Sequence, residues 1–268
     1  MNLRYEHLKR SYADKVVLDL DCGQLNHGRI TGLIGPNGAG KSTFLNIIAG
    51  LDKPSAGSML YGTGGGGGAA GGGIPDGGAA GGGGAAGGDT RGGGDAFTRE
   101  LPRNRMTLLF QQPYLIHTTV EKNIAYPLKI RNLPKDQVKQ RVSQLMEELG
   151  LTKLAKQHAW ELSGGESQKV AFARAFSFHP ELLLMDEPTS NIDAASTLEI
   201  ERIIMKENAQ EGMTMVFVGH NLAQIRRLCH EVIFMDQGKI IESGPTQELL
   251  SNPQHPETQA FIEGRLLV

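Results

Sequence analysis

The apolar stretch 29–34 runs straight into Gly35-Pro36-Asn37-Gly38-Ala39-Gly40-Lys41-Ser42-Thr43, and the residues from Lys41 to Ala49 repeat with helical periodicity. A strand, a glycine-rich turn ending in Gly-Lys-Ser and a helix form the phosphate-loop arrangement, and they commit the chain to an α/β fold in which a strand feeds a helix. Glycines suit the turn because backbone N–H groups must point inward and approach phosphate oxygens closely, while the helix adds its positive N-terminal end. Lys41 is placed to reach β- and γ-phosphates, and the Ser42 hydroxyl to ligate Mg²⁺. The competing reading is a plain glycine-rich strand-to-helix turn; the full spacing in its strand–loop–helix context argues against it.

Elsewhere short aliphatic runs alternate with amphipathic stretches, as in an α/β domain. Strands are expected over 16–20, 29–34, 106–110, 182–185, 213–218, 231–236 and 239–242, the last two joined as a hairpin at Gln237-Gly238. Helices are expected over 41–49, 120–126, 135–149, 165–178, 194–210, 222–228 and 246–250, so that 112–178 reads as a helical subdomain inserted in the sheet domain. One segment stands apart. From Gly62 to Gly94 the chain is almost wholly glycine and alanine and holds most of its 36 glycines. With no side chains to bury and maximal backbone entropy to lose, it is expected to be a flexible surface insertion. The domain expected is 1–250, with 251–268 as a C-terminal tail.

Composition excludes some classes. A formal net charge of -2 gives no basic field for nucleic acid, so no nucleic-acid partner is expected. Cys22 and Cys229 lie far apart and in no C-x-x-C pair, and both read as reduced, buried thiols. The first ten residues carry charges where a signal peptide needs an apolar stretch, and no apolar run approaches the roughly 20 residues that cross a bilayer.

Two further constellations carry chemistry. The apolar run 182–185 ends in Asp186-Glu187-Pro188. Strand alternation turns adjacent side chains to opposite sides, so Asp186 can hold Mg²⁺ through water while Glu187 faces the attacking water. Alone, two carboxylates at a strand end read as solvated; a phosphate loop upstream reverses that. Leu162-Ser163-Gly164-Gly165-Glu166 opens a helix and can present N–H groups and a hydroxyl to an anion. A simple N-cap explains Ser163 equally well.

The set of motifs resembles the ABC ATPase family over residues 3–250, interrupted only by the glycine insertion. Walker A looks like Gly35 to Thr43, the Q-loop like Phe110-Gln111, the signature like Leu162 to Glu166 followed by Gln168-Lys169, Walker B like Leu182 to Glu187, the D-loop like Ser190-Asn191-Ile192-Asp193 and the switch histidine like His220. Departures are small: Glu166 stands where glutamine is common and Lys169 where arginine is common. The resemblance implies a P-loop NTPase fold, a mostly parallel core sheet with an antiparallel β-subdomain and an inserted α-helical subdomain. It implies that ATP and Mg²⁺ are bound, with Tyr12 stacking on adenine, Gln111 near Mg²⁺, Glu187 polarising water and His220 sensing the γ-phosphate. An ordinary half-buried tyrosine is the alternative for Tyr12, and the other loop histidines read as solvated.

The resemblance also implies partners. Two copies sandwich two ATP molecules, Ser163, Gly164, Gly165, Glu166 and Asp193 of one copy completing the site of the other. The homodimer drives transmembrane permease subunits, contacted by the segment from Gln111 to about Arg131, from the cytoplasmic side of the membrane, and an extracytoplasmic substrate-binding protein acts indirectly. Tyr126-Pro127-Leu128-Lys129-Ile130-Arg131, His158-Ala159-Trp160-Glu161 and Ser177-Phe178-His179-Pro180 look like importer subunits that serve tungstate and related oxyanions, without the extra regulatory β-domain of some importer ATPases. Importers of phosphate or polar amino acids, and a soluble nucleic-acid-acting ABC ATPase, are the alternatives.

Overall fold

The computed structural model describes residues 1–62, 96–190 and 192–265. The expected flexible insertion therefore lies outside the described residues apart from Gly62, as does Asn191.

The chain order is β1 (Leu3–Tyr12), β2 (Lys15–Leu25), β3 (Ile30–Ile34), α1 (Lys41–Ile48), β4 (Ala56–Gly62), β5 (Phe97–Thr98), β6 (Met106–Leu109), α2 (Val120–Ile130), α3 (Lys135–Glu148), α4 (Gly164–Phe176), β7 (Leu182–Asp186), α5 (Ala194–Glu211), β8 (Thr214–Val218), α6 (Leu222–Leu228), β9 (Glu231–Asp236), β10 (Lys239–Pro245), α7 (Thr246–Ser251) and α8 (Pro256–Ile262). The large sheet has the order β10-β9-β3-β8-β7-β6, parallel except for the edge strand β10, and an antiparallel sheet β2-β1-β4-β5 lies beside it.

The central strands are apolar along their whole length because both faces are covered. Along β7, Leu182 and Leu184 enter one buried cluster, with Phe44 and Leu45 of α1 and Leu3, Leu8 and Leu18 of the antiparallel sheet. Leu183 and Met185 enter the other, with Val120, Ile124, Val142, Leu145, Phe172, Phe176 and Ile200 from α2 to α5. The helical stretch thus shares one core with the sheet.

Three strands escaped the sequence pattern. In β1 the inward alternation of Leu3 and Tyr5 breaks at His7, φ 46°, after which Leu8 points inward. Gly62, expected in the insertion, is the last residue of β4 because it pairs with Phe97 and its N–H donates to the Asn2 carbonyl at 2.9 Å. The sequence pattern ends α2 before Pro127, yet it continues to Ile130. The proline costs one helical hydrogen bond, and the buried face of Ile124, Ala125 and Leu128 holds the helix together. The hairpin expected over 231–236 and 239–242 forms, its second strand running on to Pro245, with Gln237 (φ 45°) and Gly238 (φ 78°) in the mirror-image turn that suits a two-residue loop.

The segment expected as a tail carries α8, whose Phe261 ring lies 5.3 Å from that of Phe234 on β9. Cys229 is buried, which pushes its thiol up to about 12. Cys22 is exposed, contrary to expectation, because it sits on the outer face of β2, its Sγ 3.7 Å from Nε2 of His7. Among the described residues no helix is long and apolar enough to cross a membrane.

Candidate functional site

The parallel order β3-β8-β7-β6 delivers four loops to one rim, at the C-terminal strand ends where ligands of such sheets collect. After β3 comes the phosphate loop, after β8 His220, after β7 Glu187 and after β6 Gln111. In the loop, Gly35 (φ 141°) and Gly40 (φ 98°) are required sterically: a Cβ would fall 2.0 Å from the Met235 carbonyl oxygen at the first and 2.9 Å from that of Val17 at the second. Pro36, Asn37, Gly38 and Ala39 form the curve between them, tightened by Ala39 N–H donating to the Pro36 carbonyl at 3.2 Å. Lys41 starts α1, and its ammonium donates to the Gly35 and Pro36 carbonyls at 2.8 Å each. Burial pulls its pKa down, opposed by the nearby Glu187 and Asp186 carboxylates.

Asp186 ends β7 and hydrogen-bonds Ser42, while Thr43 sits one residue further into α1. Burial raises the Asp186 pKa, the Ser42 bond and Lys41 lowering it and Glu187 raising it further. Glu187 does not continue the strand. Its φ of 44° turns the chain sharply, and its N–H donates to the Val218 carbonyl at 3.0 Å. A left-handed non-glycine residue costs on the order of 1 kcal/mol. The two carboxylates diverge through this turn, where the sequence suggested simple strand alternation. Oε2 of Glu187 accepts from Gln111 Nε2 at 3.2 Å and lies 3.5 Å from His220 Nδ1. Lys41, Ser42, Asp186, Glu187, Gln111 and His220 therefore form one continuous constellation.

Tyr12 ends β1 in a hairpin whose second strand touches Gly40 through the Val17 carbonyl. The Tyr12 hydroxyl donates to Asp52, and the Arg10 guanidinium lies 4.3 Å over the Tyr12 ring while bridging Asp52 at 2.7 Å. Asp52 is held below the usual carboxylate range: desolvation, the largest single influence, raises it, but the bonds from Tyr12, Lys53 N–H and Arg10 together outweigh that. The ring is 48% exposed and restrained at its hydroxyl and one face. Sequence reasoning missed Arg10 and Asp52; Asp52 is 40 residues away, and no local pattern announces it.

The phosphate loop, Gln111 and Glu187 all fall within residues 22–190, which match the ABC transporter family model. The chain belongs to the ABC transporter family. It is 37% identical over 91% of its length, and 98% of the relative's, to the tungstate uptake system ATP-binding protein TupC of Peptoclostridium acidaminophilum. It is 34% identical, over 98% of its length and 69% of the relative's, to the methionine import ATP-binding protein MetN of Cereibacter sphaeroides. Its fold superposes with a TM-score of 0.72, at 24% identity over 91% of this chain and 98% of the other, on an ATP-binding cassette solved as a dimer in a post-hydrolysis state with ADP and Pi.

Of the remaining motifs, the Ser190 hydroxyl donates to the Glu187 carbonyl at 3.1 Å, while Ser163 and Asp193 cap helices of their own. Ser163 caps α4: its hydroxyl accepts from Glu166 N–H at 3.3 Å and donates to Glu166 Oε2 at 2.7 Å, while Ser163 N–H donates to the same oxygen at 2.8 Å. The hydroxyl and backbone bonds from Ser163 hold the Glu166 carboxyl below its usual range. Among the described residues a Cβ at Gly164 or Gly165 would meet nothing within 4 Å, so packing among them gives no reason for either glycine. Asp193 caps α5, accepting from Ser196 N–H at 2.9 Å, which lowers its pKa. The N-cap reading of Ser163 is thus correct, and the open glycine surface beside it leaves room for an outside group.

Proposed function

We propose that this ABC-type ATPase is the energising subunit of an importer for tungstate or a related oxyanion, acting as a homodimer on the cytoplasmic face of membrane permease subunits. The observation that carries the catalytic part is the meeting of Gln111, Glu187 and His220 on one carboxylate beside Lys41, Ser42 and Asp186. Gly35 to Thr43 wraps the phosphates, Lys41 exchanges its loop carbonyls for phosphate oxygens, and Tyr12 offers its open face to adenine. Glu187 accepts a proton from water aligned with the γ-phosphate, and His220, within reach of the same oxygen, donates to the phosphate and orients the carboxylate.

The Asp186 carboxylate and Ser42 hydroxyl, already hydrogen-bonded, are hard oxygen donors that fit Mg²⁺, with Gln111 at the edge. When bound, that ion neutralises charge on the β- and γ-phosphates. A second copy completes the site: the unobstructed Gly164 and Gly165, with Ser163 and its helix N-terminus, suit a phosphate held by the opposing phosphate loop, and Asp193, the N-cap of α5, contributes beside them. The permease surface is the segment from Gln111 to about Arg131. It bears exposed Tyr114, Tyr126 and Ile130 beside a cleft of about 350 Å³ between α2, α4 and β6. An extracytoplasmic binding protein delivers the cargo.

For the cargo, the likeness to TupC supports tungstate, and the likeness to MetN supports methionine as the second reading. Calorimetric titration of the binding protein encoded with this subunit distinguishes them: tight binding of tungstate or molybdate is expected, and tight binding of methionine with no oxyanion heat overturns the oxyanion reading.

A further inference from the structure

Two buried amides grip the two residues that follow the turn at Glu187. Gln168, 2% exposed, projects from α4, whose first turn is capped by Ser163, and its Nε2 donates to the Pro188 carbonyl at 2.7 Å. One residue further on, the Thr189 hydroxyl donates to Oε1 of Gln224 at 3.0 Å. Gln224 is 3% exposed, and its Nε2 donates to buried Glu201 at 3.0 Å. Glu201 is gripped in turn by Arg227 through bonds of 2.9 and 2.7 Å. Gln224 belongs to α6, the helix that begins two residues after His220. A buried amide is costly unless its hydrogen bonds are made; Gln168 commits its Nε2 to Pro188 while its Oε1 has no hydrogen-bond partner among the described residues, so the bond to Pro188 is the one that ties this side chain to the turn.

We infer that Gln168 and Gln224 are positioning residues for hydrolysis, holding residues 187–189 so that Glu187 keeps its left-handed turn and its carboxylate meets Gln111 and His220. If Glu187 relaxes to negative φ, the side chain swings away from both partners. Gln168 also makes α4 the carrier of a message: what the Ser163 end of that helix engages is felt through one hydrogen bond at the carboxylate. The inference rests on the reading of Glu187 as the group that activates water. The amides bond Pro188 and Thr189 and not the phosphate loop, so their direct effect is on the Glu187 turn and not on the loop that grips the nucleotide.

Steady-state ATP hydrolysis by the full chain tests this with Gln168→Met and Thr189→Val, which keep volume and remove one donor each, in the wild-type and Glu187→Gln backgrounds. Each is expected to lower kcat about tenfold or more while KM stays within about twofold, since a misplacement near 1 Å costs rates of this order. In the Glu187→Gln background neither is expected to lower the residual rate further, because the group they position is already disabled. An unchanged kcat, or the same fold-loss in both backgrounds as from a merely structural role, overturns the inference. If Gln168→Met fails to fold, Thr189→Val, at the partly exposed end of the network, decides alone. Wild-type hydrolysis by Glu187→Gln itself sinks the reading of Glu187 and the inference together; an inactive Glu187→Gln with fully active Gln168→Met and Thr189→Val sinks the inference only.

Discussion

Nδ1 of His220 lies 3.5 Å from Oε2 of Glu187, the same oxygen that accepts from Gln111. Replacing Glu187 by glutamine keeps the side chain's size and removes its ability to accept a proton. Loss of such a group costs about 10²- to 10⁴-fold in rate. ATP binding is expected to persist, and the protein to accumulate as an ATP-dependent dimer on light scattering, with Lys41→Ala and Ser163→Arg remaining monomeric. A Glu187→Gln protein that stays monomeric in saturating ATP contradicts the two-site arrangement.

Burial raises the Asp186 pKa, so the folded state keeps this proton to a higher pH than the unfolded chain. Stability of the nucleotide-free protein therefore falls as pH rises from the ordinary carboxylate value through the raised one. Asp186→Asn is expected to flatten that dependence and raise the nucleotide-free Tm, while abolishing the rise in Tm that Mg²⁺-ATP produces. About 1 kcal/mol corresponds to roughly 2–4 °C in a chain of this size, which scanning calorimetry resolves.

Asp52 anchors the Tyr12 hydroxyl and Arg10 covers one ring face. Freeing the ring by Asp52→Ala is expected to raise KM for ATP about 2- to 10-fold, the scale of one aromatic stacking contact, with kcat unchanged. Tyr12→Phe, which keeps the ring and drops the anchor, should match Asp52→Ala, and the two together should not add. Full additivity on ATP titration argues against the anchor.

Gly62 and Phe97 are antiparallel partners, so the chain leaves β4 and re-enters β5 at adjacent points. A short hairpin turn in place of residues 63–95 is expected to leave ATP hydrolysis and Tm nearly unchanged. A large loss of either shows that the glycine-rich segment contributes to the nucleotide site.

The elements legible in the sequence are those whose cause is local. The phosphate loop needs its glycines at fixed offsets, β7 is apolar because both faces are covered, and Gln237-Gly238 dictates its own turn. Strand β1 was hidden because the kink at His7 breaks its alternation, and α2 ran past Pro127 because tertiary burial outweighs one lost hydrogen bond. Cys22 came out exposed for the same reason: which face of β2 is buried depends on what packs against it.

By itself the sequence marked the candidate groups: a phosphate loop by its spacing, a carboxylate pair at the end of an apolar strand and, through the family resemblance, His220 after another. Only the tertiary structure decided how they act together. The strand order brings Gln111, Glu187 and His220 to one rim from positions 76 and 33 residues apart, and the buried amides of Gln168 and Gln224 close on the Glu187 turn from two different helices. Side-chain contacts across such separations leave no local pattern, because any polar residue that the fold brings within 3 Å of an unpaired carbonyl can make the bond.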